Sequence, residues 1–426
     1  MDTIEIFKSF AKVPRCSFEA SKMRDFIVSF AASCGYEAKI DKADNILCQN
    51  KKPLLCLQSH YDMVCLGDAP NVEMYEKEGW IRAKNSTLGA DNGIGVALML
   101  NMMQKFDDIE LLFTSDEEVG LIGANSLEHQ LTARYLLNLD SEQEGVIVIG
   151  CAGGAEISGC MKIQRESAKS NFKTYEISIK DLDGGHSGLD IDKNIPNAIK
   201  ILADELKSAQ CDIVSINGGE RINSIPKAAK AVIYASKEIK FKNSALHVKE
   251  IEYESAVLTD SKKIIDALAS FKQGVRSYND KLKMTESSIN LSTIKTDANS
   301  AQVDFFARSM NKNELKYLCQ ETVDFLNSFG FKAEIKNCSL PWQPTITPFA
   351  KKVQKAALKF FDNVPFQAVH AGLECGIFEN KNHFLQTVSI GPNIHFPHSL
   401  RERCDIASVE RLEQITEEII LELRRK

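Results

Sequence analysis

Three short apolar runs, each breaking off onto a histidine or an acidic residue, constrain this chain more than any other feature. Pro53–Gln58 reads P-L-L-C-L-Q and continues into S-H-Y-D. Ile109–Thr114 reads I-E-L-L-F-T and continues into S-D-E-E. Tyr135–Leu139 reads Y-L-L-N-L and continues into Asp140. Runs this short and this apolar suit strands buried on both faces, which requires a sheet covered by helices on either side. Helical patterns lie around them. Ser21–Cys34 repeats apolar residues at helical spacing, and Asn92–Gln104 is apolar, with Gly93 and Gly95 permitting close packing near its start. Helix and strand patterns in alternation predict an α/β fold.

From about Phe172 to Lys336 the pattern turns to polar–apolar alternation, as in Y-E-I-S-I-K-D-L, which predicts an antiparallel sheet with helices. After Pro348 the α/β pattern returns, ending in a helix expected over Ser408–Arg425 with basic residues in its last turn. The predicted architecture is therefore one discontinuous α/β domain, residues 1–165 and 342–426. Its mixed, mostly parallel sheet is flanked by helices, and an α+β domain of residues 166–341 is inserted into it. Two stretches of the insert, from Arg221 to Ser236 and from Asn290 to Ser309, each read as strand, turn, strand, and an internal duplication is one account of them.

Bulk composition narrows the function classes. With 426 residues, 44% of them hydrophobic, the chain can build more than one core. A net charge of −6 with both signs interspersed argues against nucleic acid as the main partner. The N-terminal residues show no secretory pattern, and no run is apolar for long enough to span a bilayer, so no membrane partner is expected. The twelve cysteines are scattered without a C-x-x-C pair, which fits neither a structural zinc site nor a disulfide scaffold. Cys56 and Cys151 read as small buried hydrophobes, and a reducing cytoplasm is the expected compartment.

The residues that follow the strands are those a divalent cation would use. His60 and Asp62 stand in S-H-Y-D-M-V, Asp91 in the turn L-G-A-D-N-G-I-G, Glu117 and Glu118 in S-D-E-E-V-G, Asp140 after Y-L-L-N-L, and His398 in G-P-N-I-H-F-P-H-S. Zinc takes histidine nitrogen and carboxylate oxygen, and open α/β sheets bind ligands beyond the carboxyl ends of their strands. Singly, each has an ordinary role: Asp91 as a helix cap, Asp140 as a turn residue, the two glutamates as a solvated turn. Together, at strand ends, they point to one metal-holding crevice. The last motif also contains His395, which leaves two histidines available for one position.

These motifs, with D-G-G-H-S-G and H-A-G-L-E-C-G, resemble the di-zinc metallopeptidases that include aminoacylases, carboxypeptidase G and dipeptidases, and the dipeptidase branch most of all. The resemblance runs over nearly the whole chain. It implies that His60 and Asp140 hold one ion, that Glu118 and His398 hold the other, and that Asp91 bridges them. The ions implied are zinc, with cobalt or manganese as substitutes. Asp62 would orient His60, and Glu117 would be the general base that activates water and protonates the leaving amine. In the insert, His186 would steady the oxyanion, while Arg308 and Asn223 would contact the substrate, the arginine through its carboxylate. Gly372 would offer a backbone amide, and Glu374 would meet a substrate amine. H-S at His398 follows the family pattern better than His395 does.

The implied reaction is hydrolysis of the peptide bond of dipeptides, with an Xaa-His or a broad preference, by a monomer or homodimer. A deacylase or carboxypeptidase is the rival within the family, and Asp140 rather than glutamate resembles the dipeptidase form. A non-catalytic binder on the same fold has no need of Glu117. No G-x-S-x-G elbow or cysteine nucleophile motif supports a covalent hydrolase.

Overall fold

Alternate side chains of the predicted strands leave in opposite directions, and both directions are buried. Leu55, Leu57, Leu111, Phe113 and Leu137 join one apolar cluster, whereas Cys56, Leu112 and Leu136 join another. The computed structural model describes residues 1–167, 173–209, 211–235, 241–252 and 256–425. They divide into two compact units.

The first unit comprises Met1–Cys151, Trp342–Ala368 and Leu373–Lys426. Its large sheet runs in the order Glu37–Ile40, Ile46–Gln49, Ile109–Thr114, Leu55–His60, Tyr135–Asn138, Gln386–Ser389, Ile147–Cys151 and Phe366–Val369. The four strands from Ile109–Thr114 to Gln386–Ser389 are mutually parallel, and antiparallel pairs flank them. The larger cluster packs one face under Ala90–Lys105, Pro348–Ala357 and Ile406–Arg424, the last starting two residues earlier than its periodicity suggests. Asp405 caps that helix through the Ala407 amide. Ile377 and Phe378 of Cys375–Lys381 cover the other face. A small four-stranded sheet carries Ile394–His395, Arg403–Asp405, Trp80–Ala83 and Met74–Lys77, in that order.

Two cysteines do pair: Cys16 and Cys65 form a disulfide with Cα atoms 5.6 Å apart. No spacing rule in the sequence singles them out, because the pair joins two loops. Cys56 and Cys151 are buried thiols. Among the described residues, no helix is long and apolar enough to cross a membrane.

The second unit, Ala152–Pro341 with Val369–Gly372, is built on a nine-stranded sheet with antiparallel pairing. Helices Ala198–Ala209, Ser261–Ser270 and Lys312–Ser328 pack into its core. The domain boundary expected at residue 165 is corrected to 151. Strand Gly153–Lys162 lies between Ser300–Ser309 and Lys332–Ser339, paired residue by residue with both, so its hydrogen bonds commit it to this sheet. The repeat reading also needs correction. Asn290–Ser309 does contain a hairpin, formed by Met284–Thr296 and Ser300–Ser309. In the Arg221 stretch, Ser224–Ile225 and Ala229–Ala235 belong to different sheets, and Ser236 lies outside the described residues.

Candidate metal centre

Register sets the site. Parallel pairing places His60 opposite Thr114 and Gln58 opposite Asn138, so three strands end nearly level. The residues just past those ends, Asp62, Glu117, Glu118 and Asp140, consequently emerge on one rim. Asp91 arrives there by a different route. Gly89, the N-cap of helix Ala90–Lys105, adopts a left-handed conformation with φ 66°. That φ favours glycine, and a Cβ there would also press on Arg15 Nη2 at 2.4 Å and Met63 Cε at 2.8 Å. Further along the helix, a Cβ on Gly95 would sit 2.1 Å from Ser59 Oγ, which explains the close approach of helix to sheet.

The side chains converge. His60 Nε2 lies 3.2 Å from Asp91 Oδ1 and 3.4 Å from Asp140 Oδ1. His398 Nε2 lies 3.0 Å from Asp91 Oδ2 and 2.8 Å from Glu118 Oε2. Asp91 thus turns one oxygen toward each histidine. Three overlapping groups have donor atoms within 4.8 Å of one another: His60, Asp91 and Asp140; Asp91, Glu118 and His398; and His60, Glu117 and Glu118. Glu117 Oε2 stands further off, 3.9 Å from His60 Nε2. His395 is elsewhere, with its ring 4.7 Å from that of Trp80, which leaves His398 as the histidine in the cluster.

The electrostatics describe a site built for cations. Burial drives the carboxyl groups of Glu117, Glu118 and Asp140 above their ordinary values, Asp140 to about 6, and neighbouring carboxylates add to the effect. Glu142, two residues after Asp140, is pushed to about 8 by burial and by Asp91. For the histidines burial works the other way, yet the carboxylates outweigh it. Asp140, Asp62 and Asp91 hold His60 well above its usual range, and Asp91 with Glu118 raises His398 to about 12. Burial likewise opposes charge on Asp91, but both histidines keep it well below the usual carboxylate range. Glu118 Oε1 is buried with no hydrogen-bond partner. Crowded carboxylates, two histidines and an orphaned oxygen fit a divalent ion with a nitrogen and oxygen preference, as zinc has.

A supporting shell surrounds these donors. Asp62, fully buried, lies 3.3 Å from His60 Nδ1. It also accepts hydrogen bonds from the Glu117 and Glu118 amides at 3.0 and 3.4 Å and from Ser17 Oγ at 2.8 Å. It therefore sets the turn that carries both glutamates as well as the imidazole. Asn92 Nδ2 donates to Asp140 Oδ1 at 2.6 Å. Ser17, Asn92, Glu142, Arg15 and Glu402 went unrecognised in the sequence. Ser17 lies outside every motif, and Asn92 stands inside L-G-A-D-N-G-I-G without a role read for it.

Glu374 hydrogen-bonds to two of these strands. It is fully buried beneath the strand ends, where Oε2 accepts from Gln58 Nε2 and from Thr114 Oγ1 at 2.8 Å. Oε1 is buried with no hydrogen-bond partner, and burial raises the carboxyl to about 7, with Asp140 adding to the effect and His60 opposing it.

In the second unit, His186, Asn223 and Arg308 are neighbours. Gly185–His186 pairs with Ser224–Ile225, and the Ser187 amide donates to the Asn223 carbonyl at 2.8 Å. His186 Nδ1 accepts from the Gly188 and Leu189 amides at 3.2 and 3.0 Å. Arg308 Nη2 lies 3.4 Å from His186 Nε2, and its guanidinium sits 4.4 Å over the Phe306 ring. Gly372 ends the short return segment Val369–Gly372 of this unit.

The sequence profile of peptidase family M20/M25/M40 matches residues 56–422, a span that includes every donor named above. The chain belongs to that family. This M20/M25/M40 peptidase is 30% identical to the cytosol non-specific dipeptidase of Escherichia coli (strain K12), over 99% of this chain and 97% of that relative. It is similar in structure to an aminoacylhistidine dipeptidase from Vibrio alginolyticus, with TM-score 0.75, 26% identity, and coverage of 98% and 96% of the two chains. Human carnosine dipeptidase 1 shares the fold, with TM-score 0.59 and 12% identity over 100% of this chain and 97% of that one. The protein is accordingly a metallopeptidase, an enzyme that hydrolyses peptide bonds.

Proposed function

We propose that this peptidase is a dipeptidase, with an Xaa-His or broad preference, and that it works with two divalent ions, zinc in the first instance and cobalt or manganese as substitutes. The observation that carries the two-ion reading is Asp91, whose two oxygens face His60 and His398 separately at 3.2 and 3.0 Å. His60 and Asp140 would hold one ion, Glu118 and His398 the other, and Asp91 both. Bound there, the ions would lower the pKa of a water between them and polarise the scissile carbonyl. Glu117, which stands further from the histidines than the other carboxylates do, takes the proton from the attacking water and delivers it to the leaving amine. Asp62 fixes the orientation of His60 and the backbone of Glu117.

The second unit supplies substrate contacts in this reading. His186 donates to the developing oxyanion. The planar guanidinium of Arg308 pairs with the free carboxylate of the dipeptide, and Asn223 and the Gly372 amide complete the grip. The Escherichia coli and Vibrio relatives are dipeptidases, which supports a dipeptide rather than an acylated amino acid as substrate. A cytoplasmic monomer or homodimer, with small peptides and neither nucleic acid nor membrane as partner, completes the proposal.

The test is a panel of dipeptides, including Xaa-His, run beside N-acyl amino acids and longer peptides with metal analysis on the same protein. Cleavage confined to dipeptides, lost with a chelator and restored by zinc, cobalt or manganese, is the expected result. Preference for N-acyl amino acids overturns the dipeptidase reading, and chelator-resistant turnover overturns the metal mechanism.

A further inference from the structure

The turn that delivers Asp91 has an unusual anchor. A helix start leaves its first backbone N–H groups without partners, and a side chain at the N-cap ordinarily satisfies one or two of them. Here the position before Ala90 is Gly89, in a left-handed conformation and with no side chain to offer, and the helix is interrupted at Asp91 and Asn92, whose backbone is non-helical, so the amides of residues 88–91 lie ahead of its continuous part. The missing acceptor comes from Glu402, more than three hundred residues away in sequence. Its Oε2 accepts from the Leu88 and Gly89 amides, both at 2.9 Å, and its Oε1 from the Ala90 amide at 2.7 Å and the Asp91 amide at 3.3 Å. Glu402 is 4% exposed. The opposite side of the turn is held by Arg15, itself buried, whose Nη2 donates to the Gly89 carbonyl.

Four successive amides, the last belonging to Asp91 itself, therefore converge on one carboxylate. Glu402 follows His398 by one turn of chain and leads directly into strand Arg403–Asp405, which pairs with Trp80–Ala83. It is thus tied on one side to the loop bearing His398 and on the other to the turn bearing Asp91. A displacement of either loop moves one end of the 3.0 Å contact between His398 and Asp91.

We propose that Glu402 is a positioning residue for the metal centre: its carboxylate, clamped on the amides of residues 88–91 with Arg15 behind, sets the height and orientation of Asp91 so that its two oxygens can serve two ions at once. This inference rests on the two-ion reading of Asp91 given above. Glutamine has the same shape but one acceptor oxygen. Its amide group turns N–H bonds toward N–H bonds, so at most half of the clamp survives. Glu402 belongs to none of the donor groups, and its carboxylate acts on the turn that carries Asp91.

The experiment is zinc titration of Glu402→Gln, Glu402→Asp and wild type against a competing chelator, with circular dichroism to establish that each protein is folded. Loss of a partner that orients a metal-bound residue weakens metal binding by about 10–100-fold. Folded Glu402→Gln is expected to lose at least about ten-fold in zinc affinity at both sites. Glu402→Asp keeps both oxygens on a shorter arm and is expected to fall between it and wild type. A residue that merely capped a helix would lower the melting temperature and leave zinc affinity unchanged in the folded fraction. Unchanged affinity in folded Glu402→Gln overturns the proposal. If that variant does not fold, unchanged affinity in Glu402→Asp does so. Wild type separates the two readings. Fewer than two ions on wild type overturns the two-ion reading, whereas two ions there with undiminished affinity in the variants overturns only the role of Glu402.

Discussion

Replacing Glu117 by glutamine, with Glu118→Gln as its counterpart, divides the roles of two adjacent side chains. Both belong to three-residue donor groups, but Glu118 Oε2 is 2.8 Å from His398 Nε2, whereas Glu117 Oε2 stands 3.9 Å from His60 Nε2. Glutamine is isosteric with glutamate. Burial pushes the Glu117 carboxyl well above its ordinary value, so neutralising it relieves a desolvation cost, and Glu117→Gln is expected to melt no lower than wild type. Metal content is expected to stay at two ions per chain. What is lost is the proton acceptor. A general base contributes about 10²–10⁴-fold, so kcat on a dipeptide should fall by that factor, equivalent to about 3–5 kcal/mol in barrier. Glu118→Gln should instead lose one ion, because glutamine is a poor ligand beside His398. The assay pairs inductively coupled plasma mass spectrometry with steady-state kinetics on the same preparations. Full activity in Glu117→Gln, or loss of an ion from that variant while Glu118→Gln retains both, would refute this division of labour.

Other expectations follow from the surrounding shell. Asp62→Asn keeps one acceptor oxygen for the four groups that face the carboxylate, His60 Nδ1, Ser17 Oγ and the amides of Glu117 and Glu118. Zinc affinity is expected to fall about 10–100-fold, as read by chelator competition, and an unchanged affinity would remove Asp62 from the support of the site. His370 bears on acid stability: its Nε2 lies 2.8 Å from Ser288 Oγ, and burial with Arg308 nearby lowers its pKa from 6.5 to about 3. Between those values the unfolded chain binds a proton that the folded chain refuses, so stability falls as pH drops below 6.5. That costs about 2 kcal/mol between pH 7 and pH 5. Urea unfolding of His370→Gln should lack this acid loss, and an identical slope in wild type and variant would show that the histidine takes up its proton in the folded state.

The features legible in the sequence are local ones. An apolar run such as I-E-L-L-F-T marks a strand because each of its side chains must leave water, and the polar residue that follows must lie at the strand end. His60, Glu117, Glu118 and Asp140 could therefore be located, and the family resemblance supplied their partnership with Asp91 and His398. The antiparallel character of the insert was visible for the same reason. Tertiary structure decided what depends on contacts across the chain. Strand Gly153–Lys162 joined the second unit because its partners begin more than a hundred residues later, and the Arg221 stretch, which reads like a hairpin, sends its two strands to different sheets. Glu374 takes hydrogen bonds from Gln58 and Thr114, which only strand pairing brings together. Glu402 shows the limit most clearly. Its sequence neighbours say nothing of Leu88, Gly89, Ala90 or Asp91, and an acceptor for four amides exists only once the chain has closed on itself.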